Sequence, residues 1–162
     1  MSKSSDHRAM PGHLIRRAHQ IAVAIFLEEC AQQGITPVQF ACLSQIAREP
    51  GADATRLSAE VALDRSTLGG VLERMESKDW IVRTGDPADA RVKRLDLTPA
   101  GRALLASLDT HVERTQSRIL APLNPAERAQ FVGLLEKMVA KNNEASRAPL
   151  GPRKAERRPR GR

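Results

Sequence analysis

The chain has 162 residues and a formal net charge of +7, with three Phe, one Trp and no Tyr. That length suits one domain with tails, and an aliphatic composition poor in aromatics suits a mainly helical protein. No stretch approaches the run of about 20 apolar residues that spans a bilayer, and residues 1–10 lack the apolar segment of a signal peptide, so a cytoplasmic protein with no membrane partner is expected.

The basic excess is uneven. Residues 144–162 hold seven Arg or Lys against two Glu, a net +5, which leaves +2 for residues 1–143. Position, rather than total charge, must therefore support any nucleic-acid partner. Cys30 and Cys42 sit in helical apolar patterns and read as reduced core cysteines. No Cys-x-x-Cys pair and no metal-ligand spacing of Cys and His occurs, so neither metal nor cofactor is expected.

In chain order, residues 1–10 read as disordered. A helix starts near Pro11-Gly12 and runs to about Gln33. Leu14, Ala18, Ile21 and Ile25 form one stripe, which Ile15, Ala22 and Phe26 widen. Gly34 ends that helix as a C′ residue. Thr36-Pro37 is a cap followed by proline at the first helical position. The helix it starts runs to about Arg48, before Pro50-Gly51. A short helix from about Ala54 to Ala62 points Leu57 and Val61 inward. The turn Leu63-Asp64 comes next.

Asp64 to Thr98 is the segment with the most specific pattern. Asp64 caps a helix whose Leu68, Val71, Leu72 and Met75 recur at helical spacing. Ser66, Gly70, Glu73, Arg74 and Ser77 face outward, with Thr67 and Gly69 at the margins. Two adjacent glycines cost a helix roughly 1 kcal/mol each relative to alanine. Close approach to a DNA groove would offset that cost, and so would tight packing against a neighbouring helix. Trp80-Ile81-Val82 reads as a strand, Gly85-Asp86-Pro87 as a turn, and Arg91 to Leu97 as a second strand. Helix, strand, basic hairpin, strand is the order of a winged helix-turn-helix, and the helix from Asp64 is its reader.

Thr98-Pro99 and Asn124-Pro125 repeat the cap-proline device. The first starts a helix to about Leu120, with Leu104, Leu108, Val112 and Ile119 on one face. The second starts a helix with Phe131, Leu134, Leu135, Met138 and Val139 in an i, i+3, i+4, i+7, i+8 pattern. The small central core cannot cover the apolar faces of the terminal helices, and a symmetric dimer would. The expected fold is mainly α: a DNA-binding core over 36–98, dimerisation helices over 11–35 and 99–143, and a disordered basic tail over 144–162.

Asp89-Ala90-Arg91, followed by Leu95-Asp96-Leu97-Thr98-Pro99-Ala100-Gly101, resembles the wing pattern of the MarR family of bacterial transcriptional regulators. Asp64 to Trp80 resembles that family's recognition helix, and the element order agrees over residues 12–142. A narrower resemblance runs through residues 13–20, Phe26-Leu27-Glu28-Glu29 and residues 36–40. It points to members that control degradation of aromatic acids, above all the nicotinate-pathway repressors. It implies a homodimeric repressor that binds a palindromic operator in double-stranded DNA. It also implies release by a small aromatic carboxylate bound between the dimer helices and the winged domain. With no tyrosine, any ring stacking falls to Phe26, Phe40 or Trp80. The resemblance further implies a salt bridge from Asp89 to Arg74 that fixes the wing.

The DNA contacts expected on these grounds are Arg65, Ser66, Thr67, Gly69, Gly70 and Arg74 on the recognition helix. Arg91 is expected in the minor groove and Lys93 on phosphate. Thr55 and Arg56, opening the preceding helix, are expected on phosphate. Arg83 and Arg94 read equally as contacts or as a solvated strand face. The effector candidates are His13, Arg16, Arg17, His19 and Gln20, with Phe40. Arginine binds a carboxylate through two parallel hydrogen bonds. His13, Arg17 and Gln20 share one helix face, and Arg16 and His19 another. The same cluster also reads as a solvated helix start with ordinary dimer salt bridges. An enzyme finds no support, since no phosphate loop, triad or carboxylate pair is present. A redox sensor using Cys30 or Cys42 needs an exposed thiol of depressed pKa, and a non-DNA interaction module would lack salt-sensitive DNA binding.

Overall fold

Side chains at the expected cap positions start the helices. Thr36 accepts the Gln39 N–H at 3.3 Å while the Gln39 side chain accepts the Thr36 N–H at 3.0 Å, and Asn124 and Glu127 repeat this reciprocal arrangement. Asp53, Asp64 and Thr98 each accept the N–H three residues on. The computed structural model of the protein describes residues 6–89 and 91–151.

The elements are α1 (Pro11–Glu29), α2 (Pro37–Arg48), β1 (Ala52–Asp53), α3 (Ala54–Val61), α4 (Arg65–Ser77), β2 (Ile81–Gly85), β3 (Lys93–Leu97), α5 (Pro99–Ile119) and α6 (Pro125–Lys141). The sheet is antiparallel in the order β1-β3-β2, with Ala52 opposite Leu95 and Ile81 opposite Leu97. Gly34 follows α1 and a short 3-10 turn in the left-handed conformation, φ 59°. The fold is a winged helix flanked by terminal helices, as the element order implied.

The core gathers one face from each central element. Leu68, Val71, Leu72 and Met75 of α4 are all buried against Leu43 and Ile46 of α2, Leu57 of α3, and Leu95 and Leu97 of β3. Each such side chain contributes about 1.5–3 kcal/mol on burial. Leu108 of α5 joins the same cluster. The terminal helices differ sharply. Phe26 is the only buried residue of α1, and α6 has none. Leu14, Ile15, Ile21 and Leu27 of α1 are exposed, and so are Phe131, Leu134, Met138 and Val139 of α6.

Three features depart from the sequence reading. Residues 6–10, expected to be disordered, form a 3-10 turn over His7–Ala9, whose cap Asp6 accepts the Arg8 N–H at 3.0 Å; residues 1–5 lie outside the described residues. β1 has only two residues and leaves no periodic signal. The segment from residue 144, expected to be a disordered tail, turns back on the fold as far as Gly151. The Asn143 side chain accepts the Leu150 N–H at 2.9 Å and donates to its carbonyl at 3.1 Å. Gly151 then donates its N–H to the Ala59 carbonyl at 2.9 Å. Residues 152–162 lie outside the described residues.

Candidate nucleic-acid interface

α4 presents its outer face because its inner face is fully used. Arg65, Ser66, Thr67, Glu73 and Arg74 are exposed on the side opposite Leu68 and Leu72. Asp64 accepts both the backbone N–H and the hydroxyl of Thr67, at 2.9 and 2.7 Å. Those bonds, the hydroxyl one foremost, hold its carboxyl below the usual value. The glycines are not explained by packing inside the protomer. A Cβ on Gly69 would meet nothing within 4 Å, and one on Gly70 only the Arg74 guanidinium at 3.7 Å.

The wing carries four cations in two states. Arg83 of β2 pairs with Glu76 of α4, its Nε donating at 2.8 Å. Arg94 of β3 pairs with Asp86 at 2.7 Å. The Asp86 carboxyl is held below its ordinary value, first by the Ala88 N–H and then by Arg94. These two arginines shape the hairpin. Arg91 and Lys93 are exposed and, among the described residues, form no ion pair. Asp89 does not bridge to Arg74 as the resemblance implied. Its carboxylate accepts the Arg91 N–H at 2.9 Å and its carbonyl the Val92 N–H at 2.9 Å. That local turn engages the Asp89 carboxylate. It leaves Arg74 on the outer face of α4 without an ion pair among the described residues.

Thr55 joins the two halves of the site. Its hydroxyl accepts from the Arg65 guanidinium at 3.1 Å. The same residue lines a cleft of about 270 Å³ with Asp53, Arg83, Arg91 and Lys93. The unpaired cations of the wing and the first residue of α4 therefore flank one surface. Arg56, expected on phosphate, is instead held at 3.1 Å by Glu49 and at 2.8 Å by Glu60. Its charge is already compensated inside the fold.

The α1 cluster is exposed apart from a half-buried His13. Arg17 donates to Gln20 at 3.0 Å, and Arg16 lies 3.5 Å from His13 Nδ1. His13 thus associates with Arg16 rather than with Arg17, and its ring stands edge-on to His7 at 5.3 Å. Phe40 is not brought to this cluster. It packs on Phe26 at 5.9 Å, which lies about 13 Å along α1 from Arg17 at 1.5 Å per residue. Both cysteines are buried. Burial pushes the Cys42 thiol up to about 11 and raises that of Cys30, opposite to what a reactive thiolate requires.

One polar network has no counterpart in the sequence reading. Arg118 of α5 donates to Glu29 at 2.6 Å and to Glu28 at 2.9 Å, and Arg114 reaches Glu29 at 3.4 Å. Next to it, Gln33 lies 3.0 Å from His111. This network ties the end of α1 to α5. Its partners are 78 to 90 residues apart, so no local pattern announces it.

The MarR family model matches residues 35–93, which hold α2 through β2 and the hairpin turn up to the start of β3. A solved structure of BpsR from Bordetella bronchiseptica is 34% identical and superposes with a TM-score of 0.77, over 82% of this chain and 95% of that one. The chain belongs to the MarR family. The HTH-type transcriptional repressor NicR of Pseudomonas putida is 29% identical over 134 residues, covering 83% of this chain and 85% of NicR. PcaV of Streptomyces coelicolor, a transcriptional regulator solved with its natural ligand, is 31% identical with a TM-score of 0.78, over 86% of this chain and 98% of that one. The BpsR structure concerns regulation of DNA binding by 6-hydroxynicotinic acid. This MarR-family chain is a transcriptional regulator and not an enzyme.

Proposed function

We propose that the protein is a dimeric repressor that holds a palindromic operator and leaves it when a small aromatic carboxylate binds. The observation that supports this most is the segregation of the wing cations. Arg83 and Arg94 are neutralised within the fold, whereas Arg91 and Lys93 stand unpaired among the described residues, beside Thr55 and Arg65. Arg91 enters the minor groove and Lys93 meets phosphate. Ser66, Thr67, Gly69 and Gly70 let the backbone of α4 approach base edges, and Arg65 reaches a guanine or a phosphate. Arg74 lies further along the same face. Arg56 is left out of this set.

The second copy covers the apolar faces of α1 and α6, with α5 completing the interface. Half-site centres then lie about 10–10.5 bp apart. The effector site is the α1 cluster, where Arg17 or Arg16 takes the carboxylate and His13, His19 and Gln20 read ring substituents. Support comes from NicR and BpsR, the latter regulated by a hydroxylated pyridine acid. Binding must favour a dimer whose two α4 helices are wrongly spaced, since only differential affinity shifts the equilibrium. The test is binding of the dimer to its own upstream DNA with and without a panel of hydroxylated pyridine and benzene acids. Operator binding that one acid abolishes is the expected result. Salt-insensitive or absent DNA binding would sink the reading.

A further inference from the structure

The end of α3 is incomplete without the C-terminal segment. A helix leaves its last four carbonyls without intrahelical partners. At the α3 terminus the chain reverses through Ala62, a non-glycine residue at φ 52°. Ala62 and Leu63 both send their N–H groups to the Ser58 carbonyl, which leaves the Ala59 carbonyl open. Gly151 fills that position, its N–H donating at 2.9 Å. The fit is close: a Cβ at residue 151 would sit 3.2 Å from the Ala59 Cβ, so a larger side chain there must push the segment off its seat. Asn143 closes the strap behind it by pairing with both backbone groups of Leu150. One hydrogen bond and one close contact thus seat this segment on the helix that leads into α4, and the two hydrogen bonds between Asn143 and Leu150 brace it from within.

The chain beyond this seat is strongly basic. Residues 152–162 contain Arg153, Lys154, Arg157, Arg158, Arg160 and Arg162 against Glu156 alone. Ala59 precedes Arg65, the first residue of α4, by six positions. We infer that the α3 terminus is a docking site for Gly151 that delivers the basic segment to DNA phosphates just outside each half-site. This rests on the DNA-binding reading above. Eleven residues span at most about 36–40 Å, which reaches about 10 bp of flanking duplex at 3.4 Å per step. The segment supplies affinity and salt dependence without reading bases.

The experiment compares the parent dimer, Gly151→Leu, Asn143→Ala and a chain ending at Gly151. Each is titrated with an operator duplex that stops at the half-sites, and with the same duplex extended by about 10 bp on each side. The shortened chain loses ~10-fold affinity on the extended duplex and little on the short one, and its salt slope falls by about 0.9 per phosphate released. Gly151→Leu and Asn143→Ala, with the basic residues intact, lose ~3-fold or more on the extended duplex only, since a segment no longer held at the DNA acts at lower effective concentration. Amide exchange on the free parent shows a protected Gly151 N–H. If Gly151→Leu and Asn143→Ala match the parent on both duplexes, or the Gly151 amide exchanges freely, docking is overturned. If the shortened chain does not distinguish the duplexes, delivery is overturned. Failure of all four proteins to bind either duplex refutes the DNA-binding reading instead, while amide exchange still reports on the seat.

Discussion

A single methyl group at Gly101 tests how the winged domain is joined to α5. Gly101 lies in the first turn of α5, where a Cβ would stand 1.9 Å from the Trp80 carbonyl oxygen. Ordinary contact begins at 3.4 Å, so α5 and the start of β2 would have to separate by about 1.5 Å. That same oxygen accepts the Thr98 N–H at 3.2 Å, and Thr98 in turn caps Gly101 at 3.0 Å. Overpacking costs about 1–3 kcal/mol. Losing the hydrogen bond adds about 1 kcal/mol, and a strained cap about 1 more. Against this, alanine gains about 1 kcal/mol of helix propensity over glycine. The expected net for Gly101→Ala is a loss of about 2–4 kcal/mol. Urea denaturation at a fixed protein concentration measures it, because the midpoint of a dimer depends on concentration. Propensity alone predicts the opposite sign. A midpoint equal to or above that of the parent would therefore refute the close-approach argument.

Gly69→Ala should behave in reverse, raising stability by up to ~1 kcal/mol while weakening operator binding, because its Cβ meets nothing inside the protomer; unchanged DNA affinity would remove the groove as the reason for that glycine. Arg91→Ala should weaken specific DNA more than random DNA, whereas Lys93→Ala should weaken both and lower the salt slope by about one unit, as titrations at several salt concentrations would show. Leu134→Asp should give monomers in ultracentrifugation, since Leu134 is 58% exposed in the protomer; Leu104 packs on the protomer core, so charging it would test folding instead. The Glu29 carboxyl is held below its ordinary value, chiefly by the Arg118 hydrogen bond. Its contribution to stability is present above the ordinary carboxylate pKa and lost as pH falls through the folded value. Glu29→Gln should flatten the acid limb of the stability profile. Arg17→Ala should abolish the calorimetric signal of an aromatic acid while leaving DNA affinity nearly intact.

The helix starts were legible because they are local. Thr36-Pro37, Thr98-Pro99 and Asn124-Pro125 each place a cap beside a proline, and α2, α5 and α6 begin there. The inner face of α4 was legible for the same reason, as its four apolar residues recur at one period. The charge states of the wing were not. Arg83 meets Glu76 and Arg94 meets Asp86 only once a turn brings residues seven and eight apart together. The strap leaves no local sign, because a basic Pro- and Gly-containing sequence reads as tail, while its partners, Asn143 and Ala59, lie elsewhere. For Arg56, position alone misleads: its place in the first turn of α3 suggests phosphate, but Glu49 and Glu60 reach it first.

The smallest strand has a large effect. Asp53 pairs with Arg94 across the sheet and also caps α3 through the Arg56 N–H, while the Gly51 N–H is held by the Leu95 carbonyl. β1 therefore joins the wing to the start of α3, the helix that leads into α4. On the proposed reading, an acid bound at the α1 cluster acts by changing where this joined body sits rather than by rearranging individual base contacts. That reading makes operator choice and inducer choice separable modules. Exchanging the exposed residues of α4 should redirect the protein to a new operator that the same acid still switches.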